Sequence, residues 1–502
     1  MKRLAFLIGV SLLGLNLLGQ IKETYKVETF GSAATGEHTP FWLVSQQWGV
    51  TALTAPNFYL RAGAFHEQTL NRDWSWQAGI DVVSGNDAPY GNVWLQQIYG
   101  RVNWKSLRLD VGSREDYLSF LNPYLSSGDW INSNNSRPHP QIKGSIPDFL
   151  LVPYTKGNFF IKGDIALGAY LDGKWQEDRA LPYSRSYTKN ALSHNKAIYF
   201  RFGDMENRHK MQFTAGMIHA AQWGGTIYKY HMVNGQWEYT ATEEPRNLDN
   251  LLRVMIAKEG GEGASGASKA YAAGSHWGGY ILKYDYKLNT DDRISAYIHH
   301  FFDDGSGMAF ENYRDNVLGL EFHSHKKNLL SGVVMEYIYS KQQTGPIHFN
   351  MEMDDEHRDK LISKGNGNDN YYNNTDYAQG NSYYGKSMGT PLLLSPEYNT
   401  DHSLEFKGNR ISAFHLGVEG YLQPSLQYRA LMTVGRNLGR YYLPFRSEQK
   451  GLASRLELIY NCPRWEGWTV RLTGGYDEGE FFGGNTFGGG LSISKQGVLY
   501  AK

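Results

Sequence analysis

The stretch 74–84, WSWQAGIDVVS, sets Trp74, Trp76, Ala78, Ile80 and Val82 against Ser75, Gln77, Gly79 and Asp81. A period of two is that of an extended strand with unlike faces. The pattern recurs. Leu107, Leu109 and Val111 alternate with Arg108, Asp110 and Gly112, and Leu426, Tyr428, Ala430, Met432 and Val434 with Gln427, Arg429 and Thr433. Two architectures accept such strands. In a soluble sandwich the apolar face meets a second sheet. In an outer-membrane barrel it meets lipid, and the polar face lines a wet lumen.

Strand length and connection length separate the two. The expected strands cover 24–34, 58–68, 74–86, 93–105, 107–117, 159–173, 194–204, 209–223, 274–288, 292–304, 315–325, 329–342, 409–422, 426–438, 451–463, 468–480 and 486–496. Many reach around ten residues, beyond the globular norm and close to a tilted membrane crossing. From residue 194 onward, tight turns at 206–208, 289–291, 326–328, 423–425 and 464–467 alternate with excursions at 224–273, 305–314, 343–408 and 439–450. The early chain keeps this parity only if one more strand lies between 118 and 158. That brings the total to about 18 and both ends to the turn side, as single-chain bacterial barrels have it. The expected fold is all-β: a transmembrane antiparallel outer-membrane β-barrel with long extracellular loops.

Composition agrees. The 35 Tyr, 13 Trp and 56 Gly suit interfacial girdles, bends and turns. A formal net charge of zero offers no basic face for nucleic acid. Cys462, the single cysteine, excludes an internal disulfide framework and any multi-cysteine metal site. The opening MKRLAFLIGVSLLGLNLLGQ has Lys2 and Arg3, an apolar run to Leu18, then Gly19. It reads as a signal peptide over 1–19, leaving 20–502 as one barrel domain in the outer membrane of a Gram-negative bacterium. After residue 20 no apolar run approaches the roughly 18–20 residues of a membrane helix.

Among the loops, Leu248, Leu251, Leu252 and Met255 recur at helical spacing, which predicts a short amphipathic helix between 243 and 259. The tract 365–390, GNGNDNYYNNTDYAQGNSYYGKSMGT, reads either as a mobile surface loop or as a sugar-contacting surface of tyrosine faces and amides. The dense stretch 112–157 reads as partly folded inward, narrowing the lumen, with a structured external loop as the alternative. Enzyme motifs are missing: there is no G-x-S-x-G elbow, P-loop or H-E-x-x-H. His323 and His325 share a strand face but lack a third ligand at matching spacing. Asp303-Asp304-Gly305-Ser306-Gly307 lacks the Glu that closes an EF-hand loop. No cofactor or metal is expected.

The runs SSGDWINSNNSRPHPQIKGSIPDF, TKGNFFIKGDIALGAYLDGKW, SHNKAIYFRFGD, MIHAAQWGGT and SLQYRALMTVGRNLGRYY together resemble the capsule assembly protein Wzi family, over roughly residues 25–495. The resemblance implies an occluded 18-stranded barrel. It implies a non-catalytic protein that binds capsular or surface polysaccharide and helps attach or assemble the capsule. Implied partners are that polysaccharide, outer-membrane lipid and the capsule export machinery, for a monomer. Many capsules are acidic, so cations near the outer mouth are the candidate contacts. These are Arg114, Arg137, Lys143 and Arg436, with Trp130, His139 and Trp223 as stacking or hydrogen-bonding neighbours. The rival reading is a sugar or anion channel with an inward ladder of Arg108, Lys162, Arg201, Arg429, Arg455 and Arg471.

Overall fold

The computed structural model describes residues 19–86, 88–117, 119–205, 208–343, 369–441 and 443–502. The expected signal segment, apart from Gly19, lies outside the described residues. Eighteen strands form one antiparallel sheet that closes on itself. Its first strand, Ile21–Ala34, pairs on one side with Asn57–Thr69 and on the other with Thr486–Ala501, so that Val27 lies opposite both Ala62 and Lys495. Every strand read from the sequence is present, and the extra one is Gln141–Leu151. Closure leaves no unpaired edge, as a backbone surrounded by hydrocarbon demands. Among the described residues no helix is long and apolar enough to cross a membrane.

Connections sort by length. Turns 70–73, 105–106, 288–291 and 424–425 lie at one end with Ile21 and Ala501, whereas 35–56, 114–140, 170–191, 224–274 and 340–410 leave from the other. One expected excursion is corrected: 439–450 is no loop, because the strand Pro444–Asn461 runs through it and pairs Lys450 with Arg436. Helix Leu248–Met255 sits in the 224–274 connection, as its periodicity predicts.

The two strand faces separate as the alternation requires. On Leu426–Gly439, Met432 and Val434 are 37% and 45% exposed while Leu431 and Thr433 are buried. Trp74 stacks on Trp104 near the turn end, and Tyr280, Tyr337 and Tyr313 stand exposed or half-buried near the loop end. Aromatic belts at both ends of an apolar band mark the two water–lipid interfaces of an outer-membrane barrel.

The lumen is packed, not open. Segments 38–56, 119–136 and 369–409 fold inward and join one apolar cluster containing Trp42, Leu125, Trp130, Tyr371, Tyr372 and Phe406. Each is tied to the wall. Phe41 N–H donates to Asp477 at 2.6 Å and Trp42 Nε1–H to Thr433. Ser127 N–H donates to Glu336 at 2.7 Å. His415 Nε2 lies 2.8 Å from the Leu125 carbonyl. They also hold one another, through Gln46 N–H to Asn135 and Asn135 Nδ2–H to the Ser387 carbonyl.

This corrects the reading of the 365–390 tract. Its described part, 369–390, is neither a mobile surface loop nor an outward sugar surface. Tyr371, Tyr372, Tyr377 and Tyr383 are all buried. A tyrosine- and amide-rich segment is soluble in this lumen because its polar groups find partners there. Tyr371 Oη–H donates to Asp315 and accepts from Asn312, both at 2.7 Å, and Tyr377 Oη–H donates to the Gly224 carbonyl.

Candidate functional site

The expected inward fold of 112–157 takes shape from a bulge in the wall. Opposite Asp81 and Val82, the strand Val93–Trp104 carries an extra residue, so Gln96 and Gln97 both point inward. Gln96 Nε2–H donates to Glu115 at 2.8 Å, and Glu115 N–H donates to the Gln97 side-chain oxygen at 3.0 Å. The pair anchors the point where the chain leaves the wall. From there Arg114, Arg137, His139 and Lys143 converge on a cavity of about 100 Å³, with Trp48, Asp116 and Asp164.

That cavity is small and most of its charges are engaged, although Arg114 Nη1 and Arg137 Nε have no hydrogen-bond partner among the described residues. Lys143 Nζ lies 2.6 Å from Asp116, which also takes Arg101 at 3.3 Å. Arg114 lies over the Tyr99 ring, and Arg137 lies over Tyr90 at 4.6 Å and Tyr384 at 5.6 Å. Burial pushes His139 down to about 4, so its ring is neutral, stacked on Tyr170 at 5.1 Å. The volume falls below the ~300–1,000 Å³ typical of ligand sites. The four residues lock the inward segments to the wall and to each other.

The remaining candidates lie elsewhere. Trp130 is buried against Phe301 and Tyr372 in the lumen core. Trp223 is buried under helix Leu248–Met255, beside Val254. Arg436 is exposed on the outer wall, 3.6 Å from Glu448. The ladder proposed for a channel is not a free row of cations. Arg429 lies 3.3 Å from both Glu419 and Glu457, Arg455 lies 3.2 Å from Glu457, and Arg201 covers the Phe149 ring. Among the described residues no group of three His, Cys, Asp or Glu side chains is placed to hold a metal ion.

A larger groove, about 560 Å³, opens on the loop side. Its framework is a hairpin, Gly225–Val233 and Gln236–Glu244, joined to Tyr187–Lys189. Asn234 and Gly235 turn it, both at positive φ, as a two-residue hairpin turn requires. The sequence reading passes over this hairpin, yet Asn-Gly between alternating residues is the signal that finds it. Tyr230 and Trp237 stack across the two strands at 5.5 Å, and Trp237 is 59% exposed. Tyr183, Arg185, Ser403 and Glu405 are among the other residues that line it.

The groove walls are braced by charge and hydrogen bonds. Tyr239 Oη–H donates to the Arg185 carbonyl at 2.9 Å. Arg185 lies 3.1 Å from Asp401, Lys407 lies 2.8 Å from Asp401, and Arg440 lies 2.8 Å from Glu405. Burial alone would raise Asp401, but Lys407, the Ser403 N–H and Arg185 together hold it at about 2. Exposed aromatic faces beside fixed donors and acceptors match the alternating C–H faces and hydroxyls of a sugar chain.

No family model matches the chain, and no curated protein matches it. Among solved structures it is similar to Wzi of Escherichia coli, described as an outer-membrane, carbohydrate-binding β-barrel involved in group 1 capsule assembly. The identity is 12% and the TM-score 0.54, covering 93% of this chain and 83% of that one. Pseudomonas aeruginosa OccK5 aligns at 11% identity and a TM-score of 0.47, over 96% of this chain and 98% of its own. Acinetobacter baumannii OccAB2 aligns at 9% and 0.48, over 96% and 98%. The first of these likenesses bears on the fold: an outer-membrane β-barrel.

Proposed function

We propose that the chain is a non-catalytic surface lectin of the Wzi type, which binds an extracellular or capsular polysaccharide in the loop-side groove and helps attach it to the cell. The observation that carries this reading is the stacked pair of half-buried Tyr230 and exposed Trp237 beside Arg185, Ser403 and Glu405, in a groove built wholly from loop-side segments. A filled lumen with paired charges supports retention over permeation. The carbohydrate-binding description of the E. coli barrel supports the same reading. Each groove contact is weak, and a polymer that meets many copies of the barrel is held by multivalency.

The test is affinity electrophoresis of the detergent-solubilised protein through gels containing capsular polysaccharide from the producing cell. Retardation of the wild type, lost in a Tyr230→Ala, Trp237→Ala double variant, is the expected result. Equal mobility with and without polymer overturns the reading. Planar-bilayer recording separates the channel rival, since a lectin with a packed lumen passes little current.

A further inference from the structure

A wide groove lies outside the lumen. It occupies about 910 Å³ of the outer wall, floored by Ile198, Phe200, Ala215, Leu282, Ile298 and Leu318. Ala215 opens it, a small residue at an outward position between longer neighbours. Connection 303–315 folds out over the groove's loop-side end. There Phe310 lies on His300 at 4.8 Å and on Tyr280 at 5.3 Å, at a φ of 63° that an aromatic residue rarely adopts. Tyr313 and Arg314 follow it on the same ledge, and both are exposed.

Tyr337 forms a ridge between this groove and a second of about 710 Å³, which is lined by Phe414, Val434, Lys341, Arg436 and Lys450. Arg314, Lys341, Arg436 and Lys450 thus stand above apolar wall at the loop-side aromatic rim. Opposed to them are Glu448, 3.6 Å from Arg436, and Glu478 in the lining of the second groove. The cations run from the strand Asn316–Ser324 to the strand Pro444–Asn461, with three strands between. Four strand spacings of about 4.8 Å make roughly 19 Å. One phosphodiester headgroup does not reach across that span, whereas two phosphates on a multi-chain lipid do.

We propose that this wall is a binding site for one multiply acylated, bis-phosphorylated glycolipid of the outward leaflet. Its acyl chains lie in the grooves on either side of Tyr337. Its phosphates meet Arg314 with Lys341 on one side and Arg436 with Lys450 on the other. Arginine and lysine at that height bind phosphate by charge-assisted hydrogen bonds, and the grooves supply the chain contacts. The site is independent of the sugar-binding groove and needs only the barrel's membrane placement.

Native mass spectrometry of the full chain tests it. The probes are a hexa-acyl bis-phosphorylated diglucosamine lipid, the same lipid without phosphates, and phosphatidylglycerol. The wild type is expected to keep the bis-phosphorylated lipid through detergent exchange about tenfold better than either comparator. An Arg314→Glu, Arg436→Glu, Lys450→Glu variant is expected to lose that preference, and Ala215→Trp to lose binding by filling the groove. Heat-modifiable gel mobility identifies variants with an intact barrel. If Ala215→Trp does not assemble, the charge variant and the lipid comparison still decide. Equal retention of the phosphate-free lipid or of phosphatidylglycerol by wild type overturns the proposal. So does undiminished binding by an assembled charge variant.

Discussion

Glu336, on the strand Gly332–Tyr339, accepts the backbone N–H of Ser127 at 2.7 Å, across more than two hundred residues of sequence. Its other oxygen takes the hydroxyl of Tyr297. One carboxylate of the wall therefore holds the middle of an inward segment in place, with no water between.

Glu336→Ala removes that acceptor and leaves a buried N–H without a partner, at a cost of about 1–3 kcal/mol. The wall strand keeps its backbone ladder, so the loss falls on the segment 119–136. Planar-bilayer conductance is expected to rise, and segment 119–136 to become cleavable by added protease, while the barrel stays heat-modifiable. An unchanged current and cleavage pattern would contradict the tie.

Trp237→Ala and Tyr230→Ala act on an exposed and a half-buried side chain of the projecting hairpin, outside the barrel wall, and are expected to leave assembly intact. Each is expected to weaken polysaccharide binding several-fold, since aromatic contacts contribute roughly 0.5–1.5 kcal/mol beyond the area they cover. Isothermal titration with defined oligosaccharides measures this. Arg137→Ala, by contrast, is expected to leave that affinity within about twofold and to lower thermal stability, because its guanidinium lies over Tyr90 and Tyr384 inside the packed junction.

Asp172 supplies a pH dependence. Burial raises it to about 6, against partial relief from the Tyr384 N–H and Gln176. A folded-state value above the unfolded one means that the native state takes up a proton. The stabilisation is thus full below the unfolded value of 3.8 and is lost as pH rises through about 6. A shift of this size corresponds to on the order of 2–3 kcal/mol. Hydrogen exchange at the Tyr384 amide should be slower at pH 5 than at pH 8 after correction for intrinsic rates, and Asp172→Asn should flatten the difference.

Leu456 faces outward, paired with Ala430 and Gly474 near the middle of its strands. Leu456→Arg sets a charge into the hydrocarbon and is expected to cost about 2–4 kcal/mol in reversible folding into vesicles. Its neighbours Arg455 and Glu457 carry charge without that penalty because they face the lumen and pair there.

The barrel was legible because its signals are local. Trp74 to Val82 alternate within a single strand, and the turn at Asn289–Asp291 lies between adjacent strands, so neither needs knowledge of distant residues. The missing strand followed from parity alone and is Gln141–Leu151. Arg114, Arg137, His139 and Lys143 converge because the chain leaves the wall after Leu107–Ser113 and returns on the neighbouring strand Gln141–Leu151. Trp130, Trp223 and Arg436 did not join them. A residue's strand face is local, but which loop covers it is not.

By itself the sequence determined the barrel strands, their number to about 18, and the lipid-facing alternation within them, though not that 439–450 continues as strand. Tertiary structure alone decided which parts of the long loops enter the lumen and which stay out to line the loop-side groove. Tyr371 is tolerated in the lumen because Asp315 and Asn312 meet its hydroxyl, whereas Trp237 stays exposed on the loop-side hairpin although Tyr230 stacks on one of its faces. Both are aromatic residues in polar loops, alike in composition. A buried polar group is tolerated only where a partner awaits it, and here those partners come from a connection more than fifty residues away in the chain.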